Sequence, residues 1–246
     1  PQGSRLREFF VPREGWVLVD ADYSQIELRL LAHIAGDEHM LQAFRDGEDI
    51  HRRTASQVLG IPASQITPQQ RSSAKAINFG IVYGISAFSL SQDIHVSVPQ
   101  AKAYIDAYLA NFSGVAKYMT DIVEFAKEHG YVETLYHRRR ELGDIRSSNH
   151  NVREGAKRIA LNTPIQGTAA DIIKLAMVRV HRRLEQEGLQ ARLILQVHDE
   201  LIVECPPQEE ESVKKLLKEE MEHAADLKVK LEVDVHSGKN WLAAKG

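Results

Sequence analysis

The sequence is poor in the features that stabilise secreted or membrane-spanning proteins. One of its 246 residues is a cysteine, Cys205, which excludes a disulfide framework and a cysteine-based zinc site and is typical of a reducing compartment. Its longest apolar runs fall well short of the roughly 20 residues that cross a bilayer, and no signal peptide opens the chain. We therefore expect a cytoplasmic protein without membrane contact. Because the chain begins at Pro1 rather than Met, we also expect it to be part of a longer protein.

The sequence also lacks a strong net charge. Its 31 Lys and Arg residues nearly balance 34 Asp and Glu residues, so the formal charge of −3 gives no indication for or against nucleic acid. The charges are nevertheless unevenly spread, because residues 136–158 hold seven cations against three acids and further acids cluster within residues 199–211. Such runs are typical of solvated faces, although a basic segment is also compatible with a polyanion site.

What is present is an ordinary globular composition, with 43% hydrophobic and 26% charged residues, enough for one large domain or two smaller ones. Strand patterns occur towards both ends and helical patterns dominate the middle, which predicts an α+β fold. The predicted elements are a strand over 16–20, a helix over 25–34, a helix capped at Ser97, a strand over 130–135, a helix that begins at Thr163-Pro164 and runs to residue 184, a hairpin of strands 193–197 and 201–205 around a three-residue turn, a helix over 209–225 and a strand over 231–235.

Two aspartates stand at the ends of predicted strands. Asp22 follows the first strand and Asp199 lies in the tip of the predicted hairpin, with Asp20 and Glu200 beside them. Two carboxylates brought together repel unless cations neutralise them, so their natural partners are a pair of Mg²⁺ ions. The alternative interpretation is that these residues are ordinary turn acids.

A cation–aromatic stripe follows a spacing of four, in which each residue lies only about 40° round the helix from the last. It consists of Arg71, Lys75, Phe79 and Tyr83. Its cations suit a triphosphate and its aromatics suit a sugar and a base. An ordinary amphipathic surface helix is the alternative. Two glycines interrupt the helical pattern and predict close approach or bending, Gly80 and Gly84.

A third set consists of Arg158, Asn162 and Gln166. Arg, Asn and Gln are the side chains that hydrogen-bond the edges of bases, but here they could equally be polar residues at helix ends. The adjacent pair His198-Asp199 also occurs in metal phosphohydrolases. Those enzymes place it on helices with further histidines, whereas this sequence places it in a turn, and His51 alone is a weak additional ligand.

Four segments together resemble the family A DNA polymerases. Residues 22–29 (DYSQIELR) resemble the first catalytic motif of that family, residues 71–84 the second, and residues 196–200 (QVHDE) the third. Residues 163–171 (TPIQGTAAD) match a segment typical of the bacterial members. The motifs stand in the family's order and cover essentially the whole chain. The resemblance therefore implies a monomeric protein that lies in the bacterial cytoplasm and associates with the nucleoid.

The resemblance also implies the architecture. It predicts an antiparallel palm sheet with a large helical fingers insertion, in which residues 1–35 and 149–246 form the palm and residues 36–148 the fingers. The thumb and any nuclease domains of such an enzyme would precede Pro1.

The family resemblance assigns roles around the reacting groups. Asp22 and Asp199 would bind two Mg²⁺ ions, with Glu200 a secondary candidate near the metals. Arg71, Lys75 and His51 would contact the triphosphate, and Lys75 is also a candidate proton donor to the leaving pyrophosphate.

Further roles concern the nucleotide's sugar and base and the DNA. Glu27 paired with Tyr83 would exclude ribonucleotides, Phe79 would lie against the sugar and base, and Gln25 is a further nucleotide-binding candidate. The residues expected at the primer–template minor groove are Arg158, Asn162, Gln166 and His198.

The implied function is template-directed DNA synthesis. A deoxynucleotidyl group would pass from a deoxynucleoside triphosphate to a primer 3′-hydroxyl by a two-metal-ion mechanism. Single-subunit RNA polymerases share parts of the pattern, but Glu27 and Phe79 favour deoxynucleotides. The alternative from another class is a non-catalytic nucleic-acid-binding fragment, because the thumb that grips duplex DNA would be missing.

Overall fold

The computed structural model describes residues 5–246, so the first four residues of the predicted 1–35 segment lie outside the described residues. No helix among residues 5–246 is long and apolar enough to cross a membrane. In chain order the strands and α-helices are β1 (Val17–Tyr23), α1 (Ile26–Ala35), α2 (Glu38–Arg45), α3 (Ile50–Leu59), α4 (Pro68–Val82), α5 (Ala87–Asp93), α6 (Val98–Asn111), α7 (Ser113–His129), β2 (Tyr131–Glu133), β3 (Arg139–Glu141), α8 (His150–Gln186), β4 (Arg192–Val197), β5 (Glu200–Cys205), α9 (Glu210–Glu222), β6 (Val233–Gly238) and α10 (Trp241–Ala244).

The chain divides into two compact units. The first contains the described residues up to Ile26 together with Ala169–Gly246, and the second is Glu27–Thr168. The first division, after Ile26, lies nine residues before the predicted boundary at 35/36. The second division, after Thr168, lies twenty residues beyond the predicted boundary at 148/149. The second unit is therefore longer than the predicted insertion, and the names palm and fingers stay a prediction.

The first unit is built on a four-stranded antiparallel sheet in the order β4-β5-β1-β6. β1 lies inside the sheet, and Leu18, Val19 and Ala21 along it are almost fully buried, as expected of a strand covered on both faces. Helices α9 and α10 both pack against β1 and β6. The helices together with this antiparallel sheet confirm the α+β prediction.

The hairpin predicted over residues 193–205 is present, but its turn differs. Val197 pairs with Glu200, so the turn has two residues, His198 and Asp199, and Glu200 already belongs to β5. The prediction of a three-residue turn was therefore wrong. His198 has φ 51°, the left-handed backbone conformation that two-residue hairpin turns require at their first position.

The second unit is mostly helical, and several of its helices begin at signals that can be read in the sequence. Ser97 caps α6 as predicted, forming a capping box with Gln100. Thr67 and Gln70 form the same box at the start of α4, with proline in the first turn. The β2–β3 hairpin joins α7 to the segment before α8, and buried residues of these elements form one apolar cluster.

The prediction that a helix begins at Thr163-Pro164 was wrong. Helix α8 runs without interruption from His150 to Gln186 and contains Pro164. An interior proline removes one backbone hydrogen bond and costs about 3 kcal/mol, so something else must stabilise the helix here. The neighbours Leu161 and Ile165 are buried, and the Thr163 hydroxyl donates to the carbonyl of Ile159 at 2.7 Å. Burial on both sides of the proline outweighs the local signal for a helix start.

The close approach predicted at the two glycines is present. A Cβ added to Gly80 would lie 2.9 Å from Cγ2 of Ile85. At Gly84 φ is 66°, and an added Cβ would lie 3.1 Å from side-chain carbons of both Arg158 and Leu161. Gly84 therefore needs both the left-handed backbone and the missing side chain.

We predict that Gly84→Ala destabilises the protein more than Gly47→Ala does. Both glycines have φ 66°, but no atom lies within 4 Å of a Cβ built at Gly47. The matched variant therefore measures the backbone cost alone, about 1 kcal/mol, and the crowding at Gly84 adds about 1 kcal/mol more. Urea unfolding of the two variants checks this, and equal destabilisation would show that helix α8 yields freely to the added methyl group.

Candidate active site

A cluster of four carboxylates, Asp20, Asp22, Asp199 and Glu200, lies in the first unit and is called the carboxylate cluster below. Asp20 and Asp22 are two residues apart on β1, so they point to the same face of the sheet. Asp22 is directly opposite Glu200 in the antiparallel register. The backbone N–H of Tyr23 donates to the carbonyl of Asp199 at 3.2 Å, which ties the hairpin turn to the end of β1.

Burial and, second to it, the charge of neighbouring acids raise the pKa values of two carboxyl groups in this cluster. Burial, followed by the charge of Glu200, raises the pKa of Asp20 to about 7. Burial and the charge of Asp22 raise the pKa of Asp199 to about 6. Both carboxyl groups are therefore harder to ionise than in water, and a nearby cation would favour their ionised forms.

Three buried oxygens in the cluster have no hydrogen-bond partner: Oδ2 of Asp20, Oδ1 of Asp22 and Oε1 of Glu200. Buried acceptors of this kind are normally satisfied, so they point to a missing donor or cation. Among residues 5–246 no group of three or more His, Cys, Asp or Glu side chains is placed so that it could hold a metal ion. Mg²⁺ does not need one, because it is commonly held by one or two carboxylates plus water and phosphate oxygens. One or two carboxylates of the cluster could therefore hold a divalent cation whose remaining ligands are water or phosphate oxygens.

In the second unit the predicted pairing of Glu27 with Tyr83 is present. The Tyr83 hydroxyl donates to Oε2 of Glu27 at 2.7 Å, although 56 residues separate them. Tyr83 is the C-cap residue that directly follows α4, and Glu27 lies in the first turn of α1. Both side chains keep access to solvent. The pair thus forms a fixed carboxylate–phenol contact at an accessible surface, and its effect on sugar selection stays a prediction.

The rest of the cation–aromatic stripe follows α4. The Arg71 guanidinium donates to Oδ2 of Asp49 at 2.5 Å, which contributes to the lowered pKa of that carboxyl against the effect of burial. Lys75 is exposed, and its ammonium lies 6.0 Å from the centre of the Phe79 ring. Beyond it a groove of about 470 Å³ is lined by Phe79, Tyr83, Gly84, Ser86 and Arg158, among others. The stripe therefore carries one solvent-exposed lysine, Lys75, and one arginine that is paired with an aspartate, Arg71.

His51 takes a different position from the one that its predicted triphosphate contact suggests. Its side chain is buried, with an exposed fraction of 3%, and its Nδ1 lies 2.9 Å from the amide nitrogen of Asn78. Its ring packs against Phe79, with 5.8 Å between ring centres. Burial and the nearby charge of Arg71 lower its pKa to about 4. His51 is thus a neutral side chain behind Phe79 in this conformation, and its contact with a triphosphate stays a prediction.

We predict that His51 stays neutral at pH 5, where a histidine in an unfolded chain is protonated. Its pKa is about 4 folded against 6.5 as the ordinary value, so between these values the unfolded state binds more protons. Lowering the pH through this window therefore removes stability, up to about 3 kcal/mol. Titration of the imidazole signals by NMR checks the pKa. In His51→Gln the free energy of unfolding should lose this part of its pH dependence, whereas the exposed His150→Gln should keep it.

The third predicted set shares one helix. Arg158, Asn162 and Gln166 stand four residues apart on α8, so they lie along one face rather than on two elements. Arg158 and Gln166 are exposed, while Oδ1 of Asn162 is buried without a partner. The first unit contains the other two candidates. His198 is exposed in the hairpin turn, and Gln25, with φ 55°, has its Oε1 buried without a partner.

The family can now be established by comparison. The model of DNA polymerase family A matches residues 1–243. The chain belongs to this family. The resemblance of the sequence motifs to this family is therefore confirmed.

Similar family A polymerases come from bacteria. DNA polymerase I of Bacillus caldotenax is 53% identical over 245 residues, that of Caldicellulosiruptor bescii 50% over 244 residues, and the thermostable enzyme of Thermus aquaticus 48% over 245 residues. These alignments cover 99–100% of this chain but 28–29% of the relatives. The chain thus spans under a third of their length.

A solved family A structure has the same fold. The POL domain of Pol1 from M. smegmatis, in complex with DNA primer-template and dNTP, superposes with a TM-score of 0.95 at 43% identity. The match covers 100% of this chain and 44% of that chain.

Sequence reasoning missed one residue of the carboxylate cluster's surroundings. The ammonium group of Lys245 donates to Oδ2 of Asp22 at 3.2 Å and to Oε2 of Glu200. It stands 223 residues from Asp22, outside every motif, so no spacing pattern could have indicated it. An acidic cluster without a nearby basic residue in sequence is the signal that a distant cation should be sought.

Proposed function

We propose that this chain carries the nucleotidyl-transfer centre of a template-directed DNA polymerase. The observation that supports this most strongly is the carboxylate cluster, in which four acids from β1 and the β4–β5 hairpin lie close together and three of their buried oxygens lack partners. Burying unpaired carboxylate oxygens costs free energy, which a purely structural site would avoid, and such oxygens suit the binding of divalent cations. Membership in DNA polymerase family A supports the same chemistry.

Within this proposal Asp22 and Asp199 would hold Mg²⁺, and Glu200 would support them. When bound, two such ions would activate the primer 3′-hydroxyl and neutralise charge on the triphosphate. Asp22 is suited to this because one of its oxygens is free of hydrogen bonds. Asp199 is suited because its turn is anchored to the end of β1, which fixes the backbone that carries the carboxylate.

The cation–aromatic stripe would bind the incoming deoxynucleoside triphosphate. Arg71 offers a guanidinium fork to phosphate oxygens, for which it would exchange its present contact with Asp49. Lys75 is exposed and can hold a proton near the leaving pyrophosphate, which makes it the candidate general acid. Phe79 offers an aromatic face to the sugar and base, with Gln25 and His51 as further nucleotide contacts.

The polar face of α8 would contact the primer–template minor groove, together with His198. An arginine, an asparagine and a glutamine at intervals of four can follow a groove along one side of the helix. The acceptors of the minor groove scarcely distinguish one base pair from its reverse, which suits an enzyme that must copy every sequence.

Primer extension tests this proposal against the alternative of a non-catalytic DNA-binding fragment. We expect a labelled primer to be extended by the deoxynucleotide that complements the template, in the presence of Mg²⁺, and a primer with a 3′-deoxy end not to be extended. Binding of the same duplex without extension would favour the alternative. Extension that ignores the template base would contradict templated synthesis.

A further inference from the structure

Lys245 neutralises the carboxylate cluster from within the chain. Its ammonium group contacts one oxygen of Asp22 and one oxygen of Glu200. Its positive charge also favours the ionised forms of Asp20 and Asp199. The other oxygens of Asp22 and Glu200 are the ones left without partners. One monovalent cation therefore satisfies half of each carboxylate, and the cluster keeps an excess of negative charge.

The backbone position of Lys245 is fixed by the packing of the preceding helix. It directly follows α10, whose N-terminus is capped by Asn240, since the Asn240 side chain accepts the N–H of Ala243 at 2.8 Å. Trp241 at the start of this helix is buried and packs edge-on against Phe10, with 5.3 Å between ring centres. A Cβ on Gly238 would overlap the backbone of Ala244, so α10 lies directly on β6. These contacts fix the backbone that carries Lys245.

Resting on the proposed metal site, we infer that Lys245 is a resident counter-ion that competes with a divalent cation for Asp22. A divalent ion bound at the free Oδ1 of Asp22 would lie close to the ammonium group on Oδ2 of the same carboxylate, and the two cations would repel each other. Binding of the divalent ion is therefore opposed by the ammonium group and is favoured when that group withdraws from Asp22. Without metal, Lys245 stabilises the neighbouring acids by neutralising part of their charge. Because displacing its ammonium group costs free energy, Lys245 lowers the affinity of the site for a divalent ion. It acts as a positioning residue, not as a catalytic residue.

Direct binding of Mn²⁺ to the full chain, without nucleotide or DNA, tests this inference. Electron paramagnetic resonance counts free Mn²⁺ in a titration and gives the Kd. Lys245→Gln should bind Mn²⁺ about tenfold more tightly than the unchanged protein, in the range typical of coupling between two sites. Lys239→Gln is the matched control, since it removes the same charge from an exposed residue of the same unit and should leave the Kd unchanged. Lys245→Arg should keep the weaker affinity.

A second readout does not depend on the Kd. Without metal, Lys245→Gln should lower the Tm because the acids lose their counter-ion, and saturating Mn²⁺ should raise the Tm of this variant more than that of the unchanged protein. Equal or weaker Mn²⁺ affinity in Lys245→Gln would overturn the competition. Asp22→Asn separates the two proposals. Mn²⁺ binding that survives this substitution would overturn the metal site itself. Mn²⁺ binding that is lost in Asp22→Asn but unchanged in Lys245→Gln would overturn the role of Lys245 alone.

Discussion

Replacement of Asp22 or of Asp199 by asparagine is expected to lower the rate of nucleotide incorporation at least about a thousandfold. Each substitution keeps the shape of the side chain and removes the negative charge that would hold Mg²⁺. A loss of about 4 kcal/mol of transition-state stabilisation corresponds to this factor. Single-turnover incorporation in the natural full-length protein that carries this sequence measures the effect, with Asp226→Asn, an exposed aspartate of the same unit, as the matched control.

The stability of these variants separates a metal-binding role from a structural one. Burial and neighbouring acids raise the pKa values of Asp20 and Asp199, so the cluster is a source of repulsion in the folded protein. Removing one charge should leave the Tm without added metal unchanged or higher. A variant that loses activity together with several degrees of Tm would indicate that the carboxylate supports the fold. Near-normal incorporation by either variant would remove that residue from the proposed mechanism.

Glu27→Ala is expected to raise the incorporation of ribonucleotides relative to deoxynucleotides by several hundredfold. The Glu27 carboxylate accepts the Tyr83 hydroxyl at 2.7 Å, so it is held in one place rather than free to move aside. If it fills the space of a 2′-hydroxyl, a ribonucleotide must displace it at a cost of about 3–4 kcal/mol, which gives this discrimination. The ratio of kcat/KM for matched ribo- and deoxynucleoside triphosphates is the measurement.

Two further variants show whether the fixed position of Glu27 matters. Tyr83→Phe removes the hydroxyl that holds the carboxylate and should relax selectivity by a smaller factor than Glu27→Ala does. Glu38→Gln alters an exposed acid of the same unit, one that pairs with Arg45, and should leave the ratio unchanged. An unchanged ratio in Glu27→Ala would mean that Glu27 acts only as a first-turn acid favourable to the helix dipole, worth under about 1 kcal/mol.

The α+β class and the beginnings of several elements follow from local sequence. The capping residue Ser97, the alternation of strand and turn around residues 193–205 and the apolar run before Asp22 act within a few residues, so the physical cause and the pattern lie in the same segment. The identity of the carboxylates, cations and aromatics is equally local, because metal, phosphate and base chemistry require particular side chains. These features could be predicted before any tertiary contact was known.

The tertiary structure alone decided the remaining features, because they depend on residues distant in sequence. Burial around Pro164 carries α8 through a residue that locally signals a helix start, since packing outweighs propensity. Burial of the His51 side chain beside Asn78 and Phe79 lowers its pKa and so favours the neutral imidazole. Lys245 reaches Asp22 across 223 residues through the packing of α10 on β6. Sequence therefore determined which chemical groups this protein carries, and long-range packing determined which of them are ionised, paired or left without a partner.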